Sequence, residues 1–327
     1  MASKPLLYRR LMEAEMARPT KVEITEVGPR DGLQAELNFI PTDAKIRFVN
    51  SLIAAGVPRI EFSSFVSPKA IPQLSDVVEV FEGINRSKPC TLAALVPNAH
   101  GAIRAVEAKV DEMIVFMSAS ESHNQKNVNR SIDESLDGFE RVAEIADAAG
   151  IPVHGAIATG FGCPFEGDVS LDTIVKIAKR YRDYGFKGVG LGDTTGMATP
   201  PIVTKFVRTL QDAVPELDIA LHFHNTRGIG LVNVVAGLDE GIEKYDASFA
   251  GIGGCPFAPK ATGNICTEDL VYMLDEMGIE TGIDIRQMVE LACDVEETVG
   301  RGLPGQVMKS GLRLDLHEMG DVATAKG

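Results

Sequence analysis

The sequence predicts an α/β protein folded as a TIM (β/α)8 barrel, and three observations predict it. Short apolar runs alternate with helical patterns of about 10–15 residues along most of the chain. The apolar runs are nearly continuous, which is typical of parallel strands that are buried on both faces. Eight such strand and helix units fall within about 250 residues, which is the usual size of this barrel.

An open, doubly wound sheet is the alternative architecture. It would need a Gly-rich phosphate loop at the start of the first helix. The first connection reads Gly-Pro-Arg-Asp-Gly-Leu-Gln over residues 28–34, which lacks that form. The barrel is therefore the favoured prediction.

The elements follow one another in a regular order. The first strand candidate covers residues 21–27, and a helix follows in which Thr42 is the expected N-cap and Gly56 marks the end. The next strand candidate covers residues 59–63. The remaining strand candidates are residues 91–96, 112–117, 153–158, 188–191, 219–224 and 245–250.

The same pattern sets the expected domain limits. Residues 21–312 are predicted to form one barrel domain, preceded by an N-terminal arm over residues 1–20. A small C-terminal extension is expected to lie over the barrel. Residues 313–327 are predicted to be a polar tail with little order.

Composition excludes several function classes. The formal net charge of −14 argues against a nucleic-acid-binding surface and against binding to anionic membranes. The sequence has no apolar run of about 18 residues, so no transmembrane helix is expected. Five cysteines in 327 residues are too few for a disulfide framework. With no signal peptide predicted, we expect reduced thiols and a cytoplasmic location.

Polar residues gather where the predicted strands end. His222 and His224 close an apolar run, and side chains at i and i+2 on a strand point the same way. Active sites of TIM barrels lie at the carboxyl ends of the strands. Further polar residues at predicted strand ends are Arg30, Asp31, Glu61, Ser64 and Asp193, and a Gly-rich segment over residues 251–264 carries Cys255 and Asn264.

Four of these residues have the donor chemistry of a metal site. His222 and His224 offer imidazole nitrogens, Asp31 a carboxylate and Asn264 an amide oxygen. Such a mixed set suits Mg²⁺, Mn²⁺ or Zn²⁺. The alternatives are that the histidines cap a strand and that Asp31 and Asn264 are ordinary turn residues.

Two further residues could act on a substrate. The Arg30 guanidinium could stabilise a developing oxyanion, form a salt bridge with Glu61, or do both. Cys255 lies in a Gly-rich segment that could move, where a thiol can donate or accept a proton. The alternative for a single cysteine is a small buried apolar residue.

Several motifs taken together resemble one family, the 3-hydroxy-3-methylglutaryl-CoA (HMG-CoA) lyases, which belong to the metal-dependent TIM-barrel lyases and Claisen-type synthases. The similarity spans residues 20 to 312 or thereabouts. The motifs are Gly-Pro-Arg-Asp-Gly-Leu-Gln (28–34), Phe-Val-Ser-Pro-Lys (65–69), Phe-Gly-Cys-Pro-Phe-Glu-Gly (161–167), Gly-Asp-Thr (192–194), Gly-Gly-Cys-Pro-Phe (253–257), Gly-Asn (263–264) and Thr-Glu-Asp-Leu-Val-Tyr-Met-Leu (267–274).

The resemblance implies a retro-Claisen cleavage that gives acetyl-CoA and acetoacetate, as in leucine degradation. It implies Asp31, His222, His224 and Asn264 as ligands of a divalent cation, with Mg²⁺ or Mn²⁺ preferred. The base would be Asp31 or His222. The other roles it implies are Arg30 as catalytic arginine, Glu61 as its acidic neighbour, Cys255 as the loop cysteine, and Gln34, Ser64, Asp193 and Thr194 as substrate-pocket residues.

One motif departs from the family pattern. Better-known members read His-x-His-Asp-Thr-Tyr, whereas this chain has Asn225 in place of the acid and Arg227 in place of the tyrosine. If Arg227 faces inward, the site gains positive charge. The chain could then prefer a related thioester such as citramalyl-CoA.

Other functions are also compatible with this sequence. One is a Claisen-condensing synthase, although such enzymes usually carry a long C-terminal extension that is missing here. Another is a barrel that binds CoA esters without turnover, which the presence of all four candidate ligands disfavours. A homodimer or higher homo-oligomer is expected in either case.

Overall fold

Eight parallel strands close into a barrel in the computed structural model, which describes residues 18–254 and 263–316. Each strand pairs with its neighbours in sequence, and β1 pairs with β8. The predicted TIM barrel is thus confirmed. The strands are β1 (Glu23–Glu26), β2 (Arg59–Ser64), β3 (Thr91–Leu95), β4 (Glu112–Ser118), β5 (Val153–Ala158), β6 (Gly188–Gly192), β7 (Asp218–His222) and β8 (Lys244–Ala247).

Helices follow the strands and cover the outside of the barrel. Within the described residues they are α1 (Thr42–Ala54), α2 (Val77–Glu82), α3 (Ala99–Ala108), α4 (Glu121–Val128), α5 (Ile132–Ala149), α6 (Leu171–Asp183), α7 (Pro200–Ala213), α8 (Gly230–Asp239), α9 (Thr267–Glu276), α10 (Ile285–Val299) and α11 (Val307–Ser310). The main core lies between these helices and the outer faces of the strands.

Local sequence signals explain where the longest helix begins and ends. Helix α5 starts with a capping box, in which Ser131 accepts from the backbone of Glu134 and the Glu134 side chain accepts from the backbone of Ser131. It ends at Gly150, whose φ of 68° lies in the left-handed region that glycine tolerates. Residues next to the helix in the sequence therefore determine where it begins and where it ends.

Thr42 does not have its predicted role. It is the first residue inside α1, and the N-cap position is held by Pro41 without a side-chain hydrogen bond. The Thr42 hydroxyl instead donates to the Asp76 carboxylate at 2.8 Å. The hydroxyl thus bonds to Asp76, which is distant in the sequence, and does not cap its own helix. The helix ends just before Gly56, as predicted.

Three helices follow β8 within the described residues, α9 to α11. Helix α9 packs against the turn that follows β8, and α10 packs against α1 and α9. Residues 1–17 of the predicted arm and residues 317–327 of the predicted tail lie outside the described residues. No helix in the described part of the chain is long and apolar enough to cross a membrane.

Candidate active site

The predicted site residues lie on or after five strands, β1, β2, β6, β7 and β8, whose carboxyl ends meet at one rim. His222 is the last residue of β7, and His224 lies two residues beyond, in an isolated backbone bridge with Asn264. Arg30 and Asp31 lie in a short π-helical turn, Gly28–Gly32, that follows β1. Because the strands are parallel, their carboxyl ends lie at the same rim, and this brings together residues that are far apart in the sequence.

Two imidazoles face each other at this rim. The Nε2 atoms of His222 and His224 lie 3.1 Å apart. Ligand atoms of these two residues and of Asp31 all lie within 4.8 Å of one another. Two nitrogens and a carboxylate at this separation can share one cation.

Asn264 is held beside this group. Its Nδ2 donates to Asp31 Oδ2 at 2.9 Å and to the carbonyl oxygen of Ile252 at 3.0 Å. Its Oδ1 is buried and has no hydrogen-bond partner within residues 18–254 and 263–316. A buried amide oxygen without a partner is costly, and a cation shared with Asp31 would satisfy it.

Glycines allow Asn264 to reach this place. Gly263 has a φ of 54°, and a Cβ atom there would clash with the carbonyl oxygen of Gly253. Gly253 itself has a φ of 118°, and a Cβ atom there would lie 2.5 Å from Asn264 Nδ2. The two loops can pack this closely only because both residues lack side chains.

Asp246 orients one of the imidazoles. His222 Nδ1 lies 3.2 Å from Asp246 Oδ2. An imidazole that donates Nδ1–H to a carboxylate presents the Nε2 lone pair to a metal, which is the common arrangement in metal sites. The donor set, its spacing and this orientation fit a divalent cation.

The charges of the cluster agree with ligand roles. Burial raises the pKa of Asp31, but the charges of Arg30, His222 and His224 outweigh it and bring the pKa down to about 2. Burial and the charge of His222 lower the pKa of His224 to about 4. An ionised carboxylate and a neutral imidazole are the forms that bind metal.

Arg30 and Glu61 form a two-point ion pair beside the cluster. Arg30 Nε donates to Glu61 Oε1 at 2.7 Å, and Nη2 donates to Oε2 at 2.9 Å. Arg30 Nη1 also donates to Asp31 Oδ1 at 2.7 Å. The predicted salt bridge is therefore present, and it fixes the plane of the guanidinium at the mouth of a cavity.

One cavity of about 850 Å³ opens at this rim. This volume is typical of ligand pockets. Ser64 is held in the wall, where its hydroxyl donates to Leu95 O and accepts from Val66 N. The predicted site residues that line the cavity are Arg30, Asp31, Gln34, Glu61, Ser64, Thr194, His222 and His224.

Asp193 is not among the residues that line this cavity. Its Oδ1 accepts from the backbone N–H groups of Met197 and Ala198 at 2.6 and 2.9 Å. Burial raises the pKa of Asp193 to about 7. In this structure Asp193 therefore orders the loop that follows β6, and Thr194 is the member of the pair that reaches the cavity.

Arg227 also contacts that loop. Its Nη1 donates to the carbonyl oxygens of Thr195 at 2.9 Å and Gly196 at 2.6 Å. Arg227 is exposed and is not one of the cavity-lining residues. Arg227 therefore does not face the cavity in this structure, in contrast to the inward orientation considered from the sequence.

Cys255 lies outside the described residues. Its neighbours Gly253 and Gly254 line the cavity, so the described chain approaches residue 255 at the rim. Its role in proton transfer stays a prediction.

Asp246 is the site residue that the sequence analysis missed. It lies within β8, where a single acid between Tyr245 and Ala247 resembles ordinary strand polarity. Its contact with His222 depends on the pairing of β7 with β8, in which His222 and Asp246 are direct partners. The available sequence signal was an acid within the predicted barrel strand of residues 245–250.

The fold and the rim define a class of protein, the (β/α)8-barrel enzymes with a cluster of carboxylate and imidazole groups that could hold a divalent cation. Residues 21–295 match the HMGL-like family, and the chain belongs to that family.

Curated relatives match over nearly their whole length. Hydroxymethylglutaryl-CoA lyase YngG of Bacillus subtilis is 45% identical over 298 residues, which is 90% of this chain and 100% of the relative. The mitochondrial hydroxymethylglutaryl-CoA lyase of Gallus gallus is 40% identical and covers 91% of this chain and 100% of its own. Both relatives are carbon–carbon lyases by name.

A solved structure agrees with the fold. An HMG-CoA lyase from Acinetobacter baumannii, in complex with coenzyme A and 3-methylmalate, superimposes with a TM-score of 0.87 at 44% identity. The match covers 92% of this chain and 98% of that one.

Proposed function

We propose that this chain is a divalent-metal-dependent lyase that cleaves HMG-CoA into acetyl-CoA and acetoacetate. The observation that carries the proposal is the convergence of Asp31, His222 and His224 within 4.8 Å, beside the Arg30 guanidinium and at the mouth of one cavity. Membership of the HMGL-like family supports it. The similarity to named HMG-CoA lyases supports the choice of substrate.

Asp31, His222, His224 and Asn264 would hold the cation. Oxygen and imidazole donors favour Mg²⁺ or Mn²⁺ here, and the cluster includes none of the cysteines within the described residues. When bound, the ion supplies Lewis acidity that lowers the pKa of the substrate's tertiary hydroxyl. Asp246 holds the His222 ring in the orientation that ligation needs.

Cleavage breaks the bond between carbons 2 and 3 of the acyl group. The hydroxyl on carbon 3 loses its proton and becomes the ketone of acetoacetate, with Asp31 or His222 as the proton acceptor. The electron pair of the broken bond passes to carbon 2, which becomes the enolate of acetyl-CoA. Cys255 would then give a proton to carbon 2.

Arg30 stabilises the charge that develops on the thioester oxygen. Its guanidinium is already held on Glu61 and Asp31, so little reorganisation is needed when the enolate forms. Burial raises the pKa of Glu61 despite the opposing charge of Arg30. The Glu61 carboxylate, which is paired with Arg30 at two points, fixes the position of the arginine.

Gln34, Ser64 and Thr194 would position the acyl group from the cavity wall, and Asp193 would act through the loop that carries Thr194. We further propose that the chain works in the cytoplasm, in acyl-CoA breakdown such as leucine degradation, and as a homodimer or larger homo-oligomer. Family membership supports the role in acyl-CoA breakdown. Light scattering on the purified chain measures its oligomeric state.

The test is product analysis by mass spectrometry. Metal-stripped protein is incubated with HMG-CoA alone, with Mg²⁺ and with Mn²⁺, and citramalyl-CoA is run in parallel. We expect acetyl-CoA and acetoacetate in equal amounts only when a metal is present. Absence of acetyl-CoA under every condition would overturn the lyase proposal, and faster cleavage of citramalyl-CoA would overturn the choice of substrate.

A further inference from the structure

The inside of this barrel is hollow below the rim. TIM-barrel interiors are usually filled by layers of bulky branched side chains. Here the cavity continues from His222 and Asp246 down to Asp218 and Lys244, which begin strands β7 and β8. We call this lower part the barrel chamber, and its walls include Ala156, Gly190 and Ala220.

Three neighbouring strands create the chamber because they carry very small residues at one level. Ala156 of β5 pairs with Gly190 of β6, and Gly190 pairs with Ala220 of β7. Ala220 lies two residues before His222, so both side chains point to the inside of the barrel. On these three strands the wall below His222 therefore has no side chain longer than a methyl group, and Phe116 of β4, which pairs with Ala156, lies beside it.

Burial along these strands shows that the chamber is open. Gly190 and Ala220 are partly exposed, although they face the barrel interior. Their neighbours Leu191 and Leu221 face outward under the helices and are 0% exposed. In a filled barrel both faces of a parallel strand would be buried, so the inner face here is in contact with open space.

Position 190 has room for a larger side chain, and the backbone there does not require glycine. A Cβ atom at Gly190 would lie 3.9 Å from Ala156 Cα and 4.0 Å from Ala156 Cβ, which is ordinary contact. Gly190 is also not among the glycines with positive φ. A larger residue could therefore occupy position 190 and would extend into the chamber.

The floor of the chamber is polar and its charges are paired. Arg59 Nη2 lies 2.6 Å from Glu112 Oε2, and Lys244 Nζ lies 2.6 Å from Asp218 Oδ2. His154 adds a polar group at the level of Asp218. Above this floor, Ile114 and Phe116 line the wall beside the small residues. The part of a ligand that lies against this wall would therefore be apolar.

We propose that the chamber receives the substituent on carbon 3 of the substrate, and that the chain cleaves 3-hydroxyglutaryl-CoA thioesters in which an extended alkyl chain replaces the methyl group. This inference rests on the proposed lyase function. The CoA arm would leave through the open rim, and the hydroxyl and carboxylate of the substrate would face the candidate cation ligands at that rim. The alkyl substituent of carbon 3 is then the group that points down the barrel. The distance from His222 to Ala220 along β7 is about 6.6 Å, which a chain of about five carbons spans.

The chemistry is unchanged by the longer chain. The bond between carbons 2 and 3 breaks, the hydroxyl proton leaves, and carbon 3 becomes a ketone. Carbon 2 takes up a proton and leaves as acetyl-CoA. The second product is a 3-oxo acid that keeps the alkyl chain, and no oxidant or reductant is needed.

The first test uses the unaltered chain and a series of 3-hydroxyglutaryl-CoA thioesters with methyl, propyl and pentyl groups on carbon 3. Burial of each methylene contributes about a fourfold factor, so we expect kcat/KM for the pentyl ester to exceed that for HMG-CoA by roughly tenfold or more. Cleavage of HMG-CoA with a pentyl ester about 100-fold poorer would overturn this inference alone. Cleavage of none of the esters would overturn the proposed function.

The second test fills the chamber. Gly190→Leu should lower kcat/KM for the pentyl ester by about 100-fold or more and leave HMG-CoA within about threefold. Leu191→Met, a change of similar volume at a buried position of the same strand that does not line the cavity, is the control and should not discriminate between the esters. Equal loss for both esters in Gly190→Leu would contradict the chamber assignment. If that variant does not fold, Gly190→Val and Ala220→Val make the same comparison with less bulk.

Discussion

His222 Nδ1 lies 3.2 Å from Oδ2 of Asp246, and this contact leaves Nε2 of the same ring facing His224 Nε2 at 3.1 Å. Burial alone would lower the pKa of His222, but the hydrogen bond and charge of Asp246, together with the charge of Asp31, raise it. Asp246 therefore makes His222 a more basic and better oriented donor.

Asp246→Asn should weaken metal binding by about 10- to 100-fold, because the amide no longer supplies the charge that orients and polarises the ring. The measurement is the dissociation constant of Mn²⁺ by calorimetry. Asp218→Asn, which changes an aspartate at the other end of the neighbouring strand, should leave this constant nearly unchanged. Equal constants for the Asp246 variant and the unaltered chain would show that the contact plays no part in binding.

Arg30→Lys should lower kcat for HMG-CoA by about 100- to 1,000-fold with KM within a fewfold. Lysine keeps the positive charge but cannot make the two-point contact with Glu61 while it also contacts the enolate oxygen. Steady-state kinetics check this. Arg47→Lys breaks another two-point guanidinium–carboxylate pair, with Asp294, away from the cavity, and a matching loss of kcat there would mean that the effect is structural.

Arg227→Ala should raise KM for HMG-CoA by less than about tenfold. The guanidinium binds the carbonyl oxygens of Thr195 and Gly196 and does not line the cavity, so its loss should loosen a loop and no more. Arg208→Ala, which removes an exposed pair with Glu240, is the control. A rise in KM above about 100-fold would indicate direct contact with the substrate.

Glu268→Gln should stabilise the fold at alkaline pH. Burial raises the pKa of Glu268 from its ordinary value of 4.5 to about 8, with a further contribution from the charge of Asp269. The folded state therefore prefers the neutral acid. Its advantage is fully present below about pH 4.5 and is lost as the pH rises through about 8.

The free energy of unfolding of the glutamine variant, compared with that of the unaltered chain, should rise over this range by about 5 kcal/mol, because a pKa that moves from 4.5 to about 8 corresponds to about 1.4 kcal/mol for each pH unit. Denaturant titrations at several pH values measure it. The exposed Glu79→Gln is the control and should change little. A difference that does not depend on pH would contradict the buried, neutral carboxyl.

Much of the fold was predictable because its signals are local. Apolar runs such as residues 153–158 identify strands by themselves, and their alternation with helices implies the barrel. Once the barrel is assumed, Asp31, His222 and Asn264 fall at one rim although they are far apart in sequence. The prediction of Thr42 as an N-cap was wrong because its hydroxyl donates to Asp76, a residue that is distant in the sequence.

The remaining features depend on register, which a single sequence does not contain. The role of Asp246 follows from its pairing with His222, and the chamber follows from the pairing of Ala156, Gly190 and Ala220 across three strands. Each of these small residues is unremarkable alone. Only their alignment at one level of the barrel leaves the interior open.

The most direct test of the central claim is a Mn²⁺ titration of metal-stripped protein, with bound Mn²⁺ and the rate of acetyl-CoA formation from HMG-CoA measured in the same samples. We expect the rate to rise in proportion to bound Mn²⁺ and to level off at about one ion per chain, with binding weakened about tenfold or more in His224→Ala. A full rate in metal-stripped protein, or unchanged Mn²⁺ binding in His224→Ala, would contradict a catalytic metal at this rim.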